Sequence, residues 1–138
     1  MNPNEEEQYL RLLSIFHYIV GGLTALVACI PIFHFTVGIG MIIASLAEPR
    51  ETAFLVLPGL LFTVIAGSIM LFGWTFALCV ALAGYFLSAR RNYMFCLVMA
   101  GVETIFTPFG TVLGVFTIVL LTRPSVKALF MPGRIVAA

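Results

Sequence analysis

One acidic side chain, Glu103, lies inside an otherwise apolar stretch, where an ionisable group is available for chemistry. It follows Arg91 by 12 residues, about 18 Å along a helix, which places it near mid-membrane if the stretch is embedded in lipid. A charged carboxylate at that depth costs about 3 kcal/mol on insertion scales, so such groups commonly serve an ion or proton path. The structural alternative is a protonated carboxyl group hydrogen-bonded to Thr107, one turn later, or to a facing helix.

Both histidines also lie in apolar segments. His17 follows Arg11 by six residues, and we expect its side chain to reach toward the nearby polar boundary. His34 follows Pro31, and its ring can donate to carbonyl oxygens that a proline leaves without a partner. The two histidines are about 100° apart around a helix, so we predict no shared metal site. We group His34 with Glu103 and Thr107 as a candidate polar site within the membrane.

Catalytic, metal and cofactor signatures are weak in this sequence. The cysteines Cys29, Cys79 and Cys96 are widely spaced, with no Cys-x-x-Cys motif and no Cys/His pairing. No residue pattern predicts a nucleophile with its base. We therefore predict no enzyme activity, no metal and no cofactor. The net charge of +1 likewise predicts no nucleic-acid partner.

Two long uncharged runs must position these side chains. Residues 12–47 and 52–89 contain no charged residue, and the whole sequence is 62% hydrophobic and 9% charged, against about 25% charged in a typical soluble domain. Since about 20 apolar residues cross the hydrocarbon core of a bilayer, we predict an all-α integral membrane protein. Each run is too long for one upright crossing, so we expect kinked, tilted or re-entrant helices.

Proline and glycine divide these runs into helices within a single membrane domain over residues 1–138. Pro31 removes a backbone donor inside the first run and predicts a kink there. Pro58 suits the first turn of a second helix, which would be about 48 Å long. The predicted elements are a kinked helix over 9–46, a long helix over 58–89, hairpin arms over 93–106 and 110–122, and a cytoplasmic tail over 123–138 that includes a short interfacial helix.

The basic residues decide between one continuous span over residues 93–122 and a re-entrant hairpin. A continuous span divides the basic residues three to four between the two sides, which gives no orientation. A hairpin places six of them on one side and leaves only Arg50 on the other. Because an excess of basic residues marks the cytoplasmic side, we predict the hairpin and two cytoplasmic termini. The six are Arg11, Arg90, Arg91, Arg123, Lys127 and Arg134.

Small residues recur at spacings that let helices pack closely. Gly73, Ala77 and Ala81 form a row at every fourth position, and Gly110 and Gly114 form a Gly-x-x-x-Gly motif. Such rows allow two helix backbones to approach each other in lipid. We therefore predict helix-packing contacts at both places.

The third apolar stretch contains Pro108-Phe109-Gly110-Thr111-Val112-Leu113-Gly114, a P-x-G-T-x-L-G motif that follows a basic turn and a short apolar helix. It is followed by the tail Ser125-Val126-Lys127-Ala128-Leu129-Phe130. Over about residues 72–130 the chain resembles an uncharacterised family of small bacterial integral membrane proteins. The resemblance implies a bacterial inner-membrane protein of about four helical segments, and it implies neither an activity nor functional residues.

Two functions follow from this sequence. The first is a structural or oligomerising subunit, a multi-pass protein of the bacterial inner membrane. It would belong to a homo-oligomer or to a larger membrane complex, and the lipid bilayer would be its other partner. The second is a small channel or transporter subunit with Glu103 in the permeation or proton path. A polar stripe aligned with Glu103 would favour the channel, whereas a dry subunit contact would favour the structural role.

Overall fold

The structure, a computed structural model, describes residues 3–105 and 109–130. Each described residue lies in a helix or in a short connection between helices, with no strand among them, which confirms the predicted all-α fold. The helices are α1 (Pro3–Val27), α2 (Ile32–Ala47), α3 (Pro49–Thr52), α4 (Val56–Ala89), α5 (Tyr93–Glu103), α6 (Phe109–Leu121) and α7 (Pro124–Leu129), with a 3₁₀ turn at Ala53–Leu55 between α3 and α4.

At Pro31, where the sequence predicts a kink, the chain breaks into two separate helices. Helix α1 ends at Val27 and α2 begins at Ile32. Pro31 has no N–H to donate and its ring crowds the preceding turn, so α1 cannot continue through it. The intervening residues form turns instead, in which the Ile30 N–H donates to the Val27 carbonyl oxygen at 3.0 Å.

Helix α4 is the longest element, with 34 residues, about 51 Å along its axis. It begins at Val56, two residues before the predicted start, because Pro58 is accepted within a first turn where an N–H needs no helical partner. It ends at Ala89. Arg90 and Asn92 both have a φ of 51°, and these left-handed residues redirect the chain into α5.

Helices α5 and α6 form an antiparallel hairpin. The Tyr93 hydroxyl, at the start of α5, donates to the carbonyl oxygen of Leu121, at the end of α6, at 3.0 Å. Near the other end, Thr111 Oγ1 donates to the Thr104 carbonyl oxygen at 2.9 Å. The arms have 11 and 13 residues, about 16 and 20 Å. The chain therefore turns back between α5 and α6, as the hairpin prediction requires.

The contacts divide the chain into two compact units. The terminal unit consists of the residues up to Gly22 and those from Ala77 onward, and the central unit is Leu23–Phe76; α1 and α4 contribute to both. Within the central unit, a Cβ added at Gly38 would lie 2.8 Å from the Gly59 carbonyl oxygen, so α2 and α4 pack there backbone against backbone. The apolar core of the terminal unit consists of Leu10, Leu87, Cys96, Leu120, Leu121 and Val126.

Two helical stretches, Glu5–Ala47 and Pro49–Ala89, are long and apolar enough to cross a membrane. Only 11% of the most apolar part of each stretch is buried. A core helix of a soluble protein has its apolar surface covered by neighbouring elements. These two stretches instead leave large side chains such as Leu26, Phe33 and Phe72 exposed.

Candidate functional site

His17 of α1 and Glu103, the last residue of α5, meet inside the terminal unit. His17 Nε2 lies 3.2 Å from Glu103 Oε2, and the two side chains are 0% and 1% exposed. No other charged or titratable pair in the described residues is buried to this degree. The expectation that His17 reaches toward a polar boundary is wrong, because its ring is enclosed by α1, α4 and α5 of the same unit.

A glycine on α4 lets α1 come close enough to bury His17. A Cβ added at Gly84 would lie 3.0 Å from both His17 Cβ and the Ser14 carbonyl oxygen. Ser14 Oγ donates to the Gly84 carbonyl oxygen at 2.7 Å, in a buried position. Ser14, His17 and Gly21 follow at spacings of three and four, so they share one face of α1. This face is therefore fixed against α4.

The α5–α6 hairpin positions Glu103. The buried face of α5 is formed by Cys96, Met99, Ala100 and Glu103, which recur at helical spacing. A Cβ added at Gly114 of α6 would meet the Ala100 carbonyl oxygen and lie 2.8 Å from Thr104 Cγ2. Gly114 therefore lets α6 hold the last turn of α5, which carries the carboxyl group toward α1.

Hydrogen bonding to the backbone fixes the tautomer of His17. Its Nδ1 lies 2.8 Å from the Leu13 carbonyl oxygen. Because a carbonyl oxygen only accepts, Nδ1 carries a hydrogen and donates it. A proton shared between Nε2 and Glu103 Oε2 would make the pair either an imidazolium that faces a carboxylate or a carboxylic acid that faces a neutral imidazole. Either form has no net charge.

The described residues leave the Glu103 carboxyl group without a hydrogen-bond donor. The Nε2–Oε2 contact lacks the alignment of a hydrogen bond, and within the described residues neither carboxyl oxygen has a hydrogen-bond partner. Ser14, whose buried hydroxyl lies on the same face of α1 as His17, donates to the Gly84 carbonyl oxygen instead. A buried ionised carboxylate needs several donors to offset its lost hydration, and the described residues supply none to Glu103.

The candidate polar site of Glu103, Thr107 and His34 stays a prediction. Thr107 lies outside the described residues. His34 belongs to the central unit, whereas Glu103 belongs to the terminal unit. The His34 side chain is exposed, and its ring stacks on Phe62 with centroids 6.0 Å apart. The structure instead gives Glu103 a partner, His17, that the sequence argument set aside.

Four of the five predicted packing residues lie at helix contacts, namely Gly73, Ala77, Ala81 and Gly114. In the central unit, a Cβ added at Gly73 would lie 2.6 Å from Ala28 Cβ. In the terminal unit, Ala77 and Ala81 face Gly21 of α1, at 3.2 and 3.4 Å from the position of an added Cβ. Gly110 and Gly114 of the other motif are both buried. Sequence reasoning missed Gly21 and Gly84, which lie on the faces of α1 and α4 that bury His17.

A metal centre has no support in the described part of the chain, which contains no group of three or more His, Cys, Asp or Glu residues placed to hold an ion. No protein-family model, curated protein or solved structure matches the chain. The resemblance of Pro108–Gly114 to small bacterial membrane proteins therefore stays a prediction. The described part of that motif forms the start of α6.

Proposed function

We propose that this chain is a small multi-pass integral membrane protein with a structural role, a subunit that packs with copies of itself or with other membrane proteins. The observation that carries the proposal is the His17–Glu103 contact. Glu103, the acid that the sequence suggested for a permeation path, is buried within the chain and faces His17. A carboxyl group buried in this way supports a packing role over a permeation path.

Membrane embedding is supported by the exposed apolar surface of the stretches Glu5–Ala47 and Pro49–Ala89. Water would order around such a surface at a large free-energy cost, whereas lipid chains accommodate it. Extraction of membranes with alkaline carbonate tests this directly. We expect the chain to stay in the membrane pellet, and its release into the supernatant would refute the embedding.

A re-entrant hairpin with cytoplasmic termini completes the proposed topology. Helices α5 and α6 are each shorter than the roughly 30 Å hydrocarbon core, and their outer ends meet at the Tyr93–Leu121 hydrogen bond. To test the topology, Asn4 and Arg134 are changed to Cys, one at a time, in a background without native cysteines. We expect a membrane-impermeant thiol reagent to label both from the cytoplasmic side, and labelling from opposite sides would refute the topology.

Assembly with other subunits is supported by the length of α4, about 51 Å against a core of about 30 Å. A helix that overruns the core tilts, thins the bilayer or packs against neighbours. Native mass spectrometry of the detergent-solubilised protein tests the assembly. We expect a homo-oligomer or a co-purifying membrane protein, and a monomer with no partner would refute the structural role.

Proton transfer is a second candidate function, and one observation favours it. His17 and Glu103 are buried titratable side chains whose Nε2 and Oε2 atoms lie 3.2 Å apart, and the carboxyl group has no hydrogen-bond partner among the described residues. Proton flux into liposomes is compared for the wild type, Glu103→Gln and the control Glu51→Gln, an exposed acid of α3. Loss of flux in Glu103→Gln alone would establish transfer, and background flux in all three would exclude it.

A further inference from the structure

The His17–Glu103 contact joins two parts of the terminal unit that are far apart in the sequence. His17 belongs to α1, and Glu103 is the last residue of α5 in the α5–α6 hairpin. The two side chains are 0% and 1% exposed, and Nε2 lies 3.2 Å from Oε2. The hairpin therefore meets α1 at a place where two buried titratable groups face each other.

Three buried atoms at this contact have no hydrogen-bond partner among the described residues, namely His17 Nε2 and both carboxyl oxygens of Glu103. His17 Nδ1 is already engaged, at 2.8 Å from the Leu13 carbonyl oxygen. A net charge on the pair would thus meet no compensating group in the described part of the chain, and an unpaired buried charge is costly. The pair has no net charge when it binds a single proton, so that state costs least.

The other titratable groups on the surrounding helices do not offset a charge on the pair. Within two turns of His17, Gly84 or Glu103, they are Arg11 and Tyr18 on α1, Cys79 and Tyr85 on α4, and Cys96 on α5. Arg11 is exposed, and it lies six residues from His17, about 9 Å along α1. Phenol and thiol side chains are ordinarily uncharged at pH 7. Helix α6 contains no titratable residue, and Arg90, just beyond α4, pairs with Glu7.

We propose that a single proton shared between His17 and Glu103 closes the terminal unit, so that the α5–α6 hairpin separates from α1 in both acid and alkali. Acid adds a second proton and leaves a buried positive charge, whereas alkali removes the only proton and leaves a buried carboxylate. Separation of the hairpin hydrates both side chains and relieves that cost. The inference goes beyond the proposed packing role, because it makes the packing within the terminal unit depend on pH.

The number of bound protons sets the size of the effect. Glutamic acid and histidine side chains in water have pKa values of about 4.3 and 6.5. The opened pair therefore binds two protons below the first value, one between the two values and none above the second, whereas the closed pair binds one throughout. Stability changes with pH only where these numbers differ. We expect an opening equilibrium constant that is flat between about pH 4.3 and 6.5 and rises about tenfold per pH unit on either side.

The native thiol of Cys96 reports the opening. It is 0% exposed and lies on the face of α5 that carries Glu103; Cys29 and Cys79 are changed to Ala. The full chain in nonionic micelles is labelled with a dipyridyl disulfide between about pH 3 and pH 8, and each rate is divided by that of a short peptide with the same residues around Cys96. This ratio removes the pH dependence of the thiol itself. We expect the ratio to rise about tenfold from about pH 7 to pH 8.

Glu103→Gln tests the role of the carboxyl proton. Glutamine keeps a donor for His17 Nε2 but does not titrate, so the closed pair binds no proton. The alkaline rise should disappear, and the acid rise should begin near pH 6.5 instead of about pH 4.3. The double variant His17→Leu/Glu103→Leu should show neither rise. The matched control Glu51→Gln, at an exposed acid of α3, should keep the wild-type profile.

Two results would overturn the proposal: a labelling ratio of the wild type that stays flat over the whole pH range, or a pH profile that Glu103→Gln leaves unchanged. If circular dichroism shows that the double leucine variant has lost helix, Glu103→Gln alone decides. The outcome is separate from that of the packing role. A flat profile in a chain that native mass spectrometry finds assembled overturns only the shared proton, whereas a monomer with the expected profile overturns only the packing role.

Discussion

Replacing His17 and Glu103 by leucine, separately and together, tests whether their contact stabilises the terminal unit. Leucine is close in size to both side chains, so the change removes polarity without opening a large cavity. Each single variant leaves one buried polar group facing an apolar side chain, since the two side chains are 0% and 1% exposed and His17 Nε2 lies 3.2 Å from Glu103 Oε2. Such an orphaned group costs about 1–3 kcal/mol. We expect each single variant to lose about 1.5 kcal/mol.

The double variant separates the contact from the individual side chains. Independent sites would add to a loss of about 3 kcal/mol, because distant substitutions combine almost additively. Coupled sites leave no orphan once both are apolar, so we expect the double variant to be nearly neutral. The resulting coupling of about 3 kcal/mol is at the upper end for residues in contact. The free energy of unfolding is measured by SDS titration in mixed micelles, followed by circular dichroism.

Two further variants sharpen this prediction. Glu103→Gln keeps a donor for His17 Nε2, so a neutral pair predicts a change below about 1 kcal/mol, whereas loss of a buried ion pair costs about 3–5 kcal/mol. His34→Leu is the control, because His34 is exposed in the central unit. Additive losses in the double variant, within about 0.5 kcal/mol, would refute the stabilising contact.

Three other substitutions test the helix contacts that build the site, each by the same unfolding measurement. Gly84→Ala should destabilise the chain by about 1–3 kcal/mol, because the added Cβ would lie 3.0 Å from atoms of α1. The control is Gly22→Ala, where the added Cβ meets open space, and it should stabilise the chain by up to about 1 kcal/mol. Gly114→Ala should separate α6 from α5 and destabilise similarly, whereas Gly101→Ala, also with open space, should not. Tyr93→Phe should lose about 1 kcal/mol, because its hydroxyl donates to the last carbonyl of α6 at 3.0 Å; an unchanged stability would show that the hairpin closes without this bond.

The helices and most of their ends follow from local features of the sequence. Long uncharged runs over residues 12–47 and 52–89 favour helices, because a helix satisfies its backbone groups internally. Pro31 ends α1 by removing a donor, and the Pro108–Gly110 break together with the basic residue count predicts the hairpin. These features act through residues that are close in the sequence, so they can be recognised from the sequence alone.

The partner of Glu103 is decided only by tertiary structure. His17 and Glu103 are 86 positions apart in the sequence, and α1 and α4 are apolar on most of their surface, so hydropathy does not specify which face packs inward. Small residues specify the inward face instead. Gly84 lets α1 pack closely against α4 at the turn that carries His17, and Gly114 lets α6 pack closely against the end of α5 near Glu103. Their effect depends on backbones that meet across helices, a steric condition that exists only once the helices are assembled.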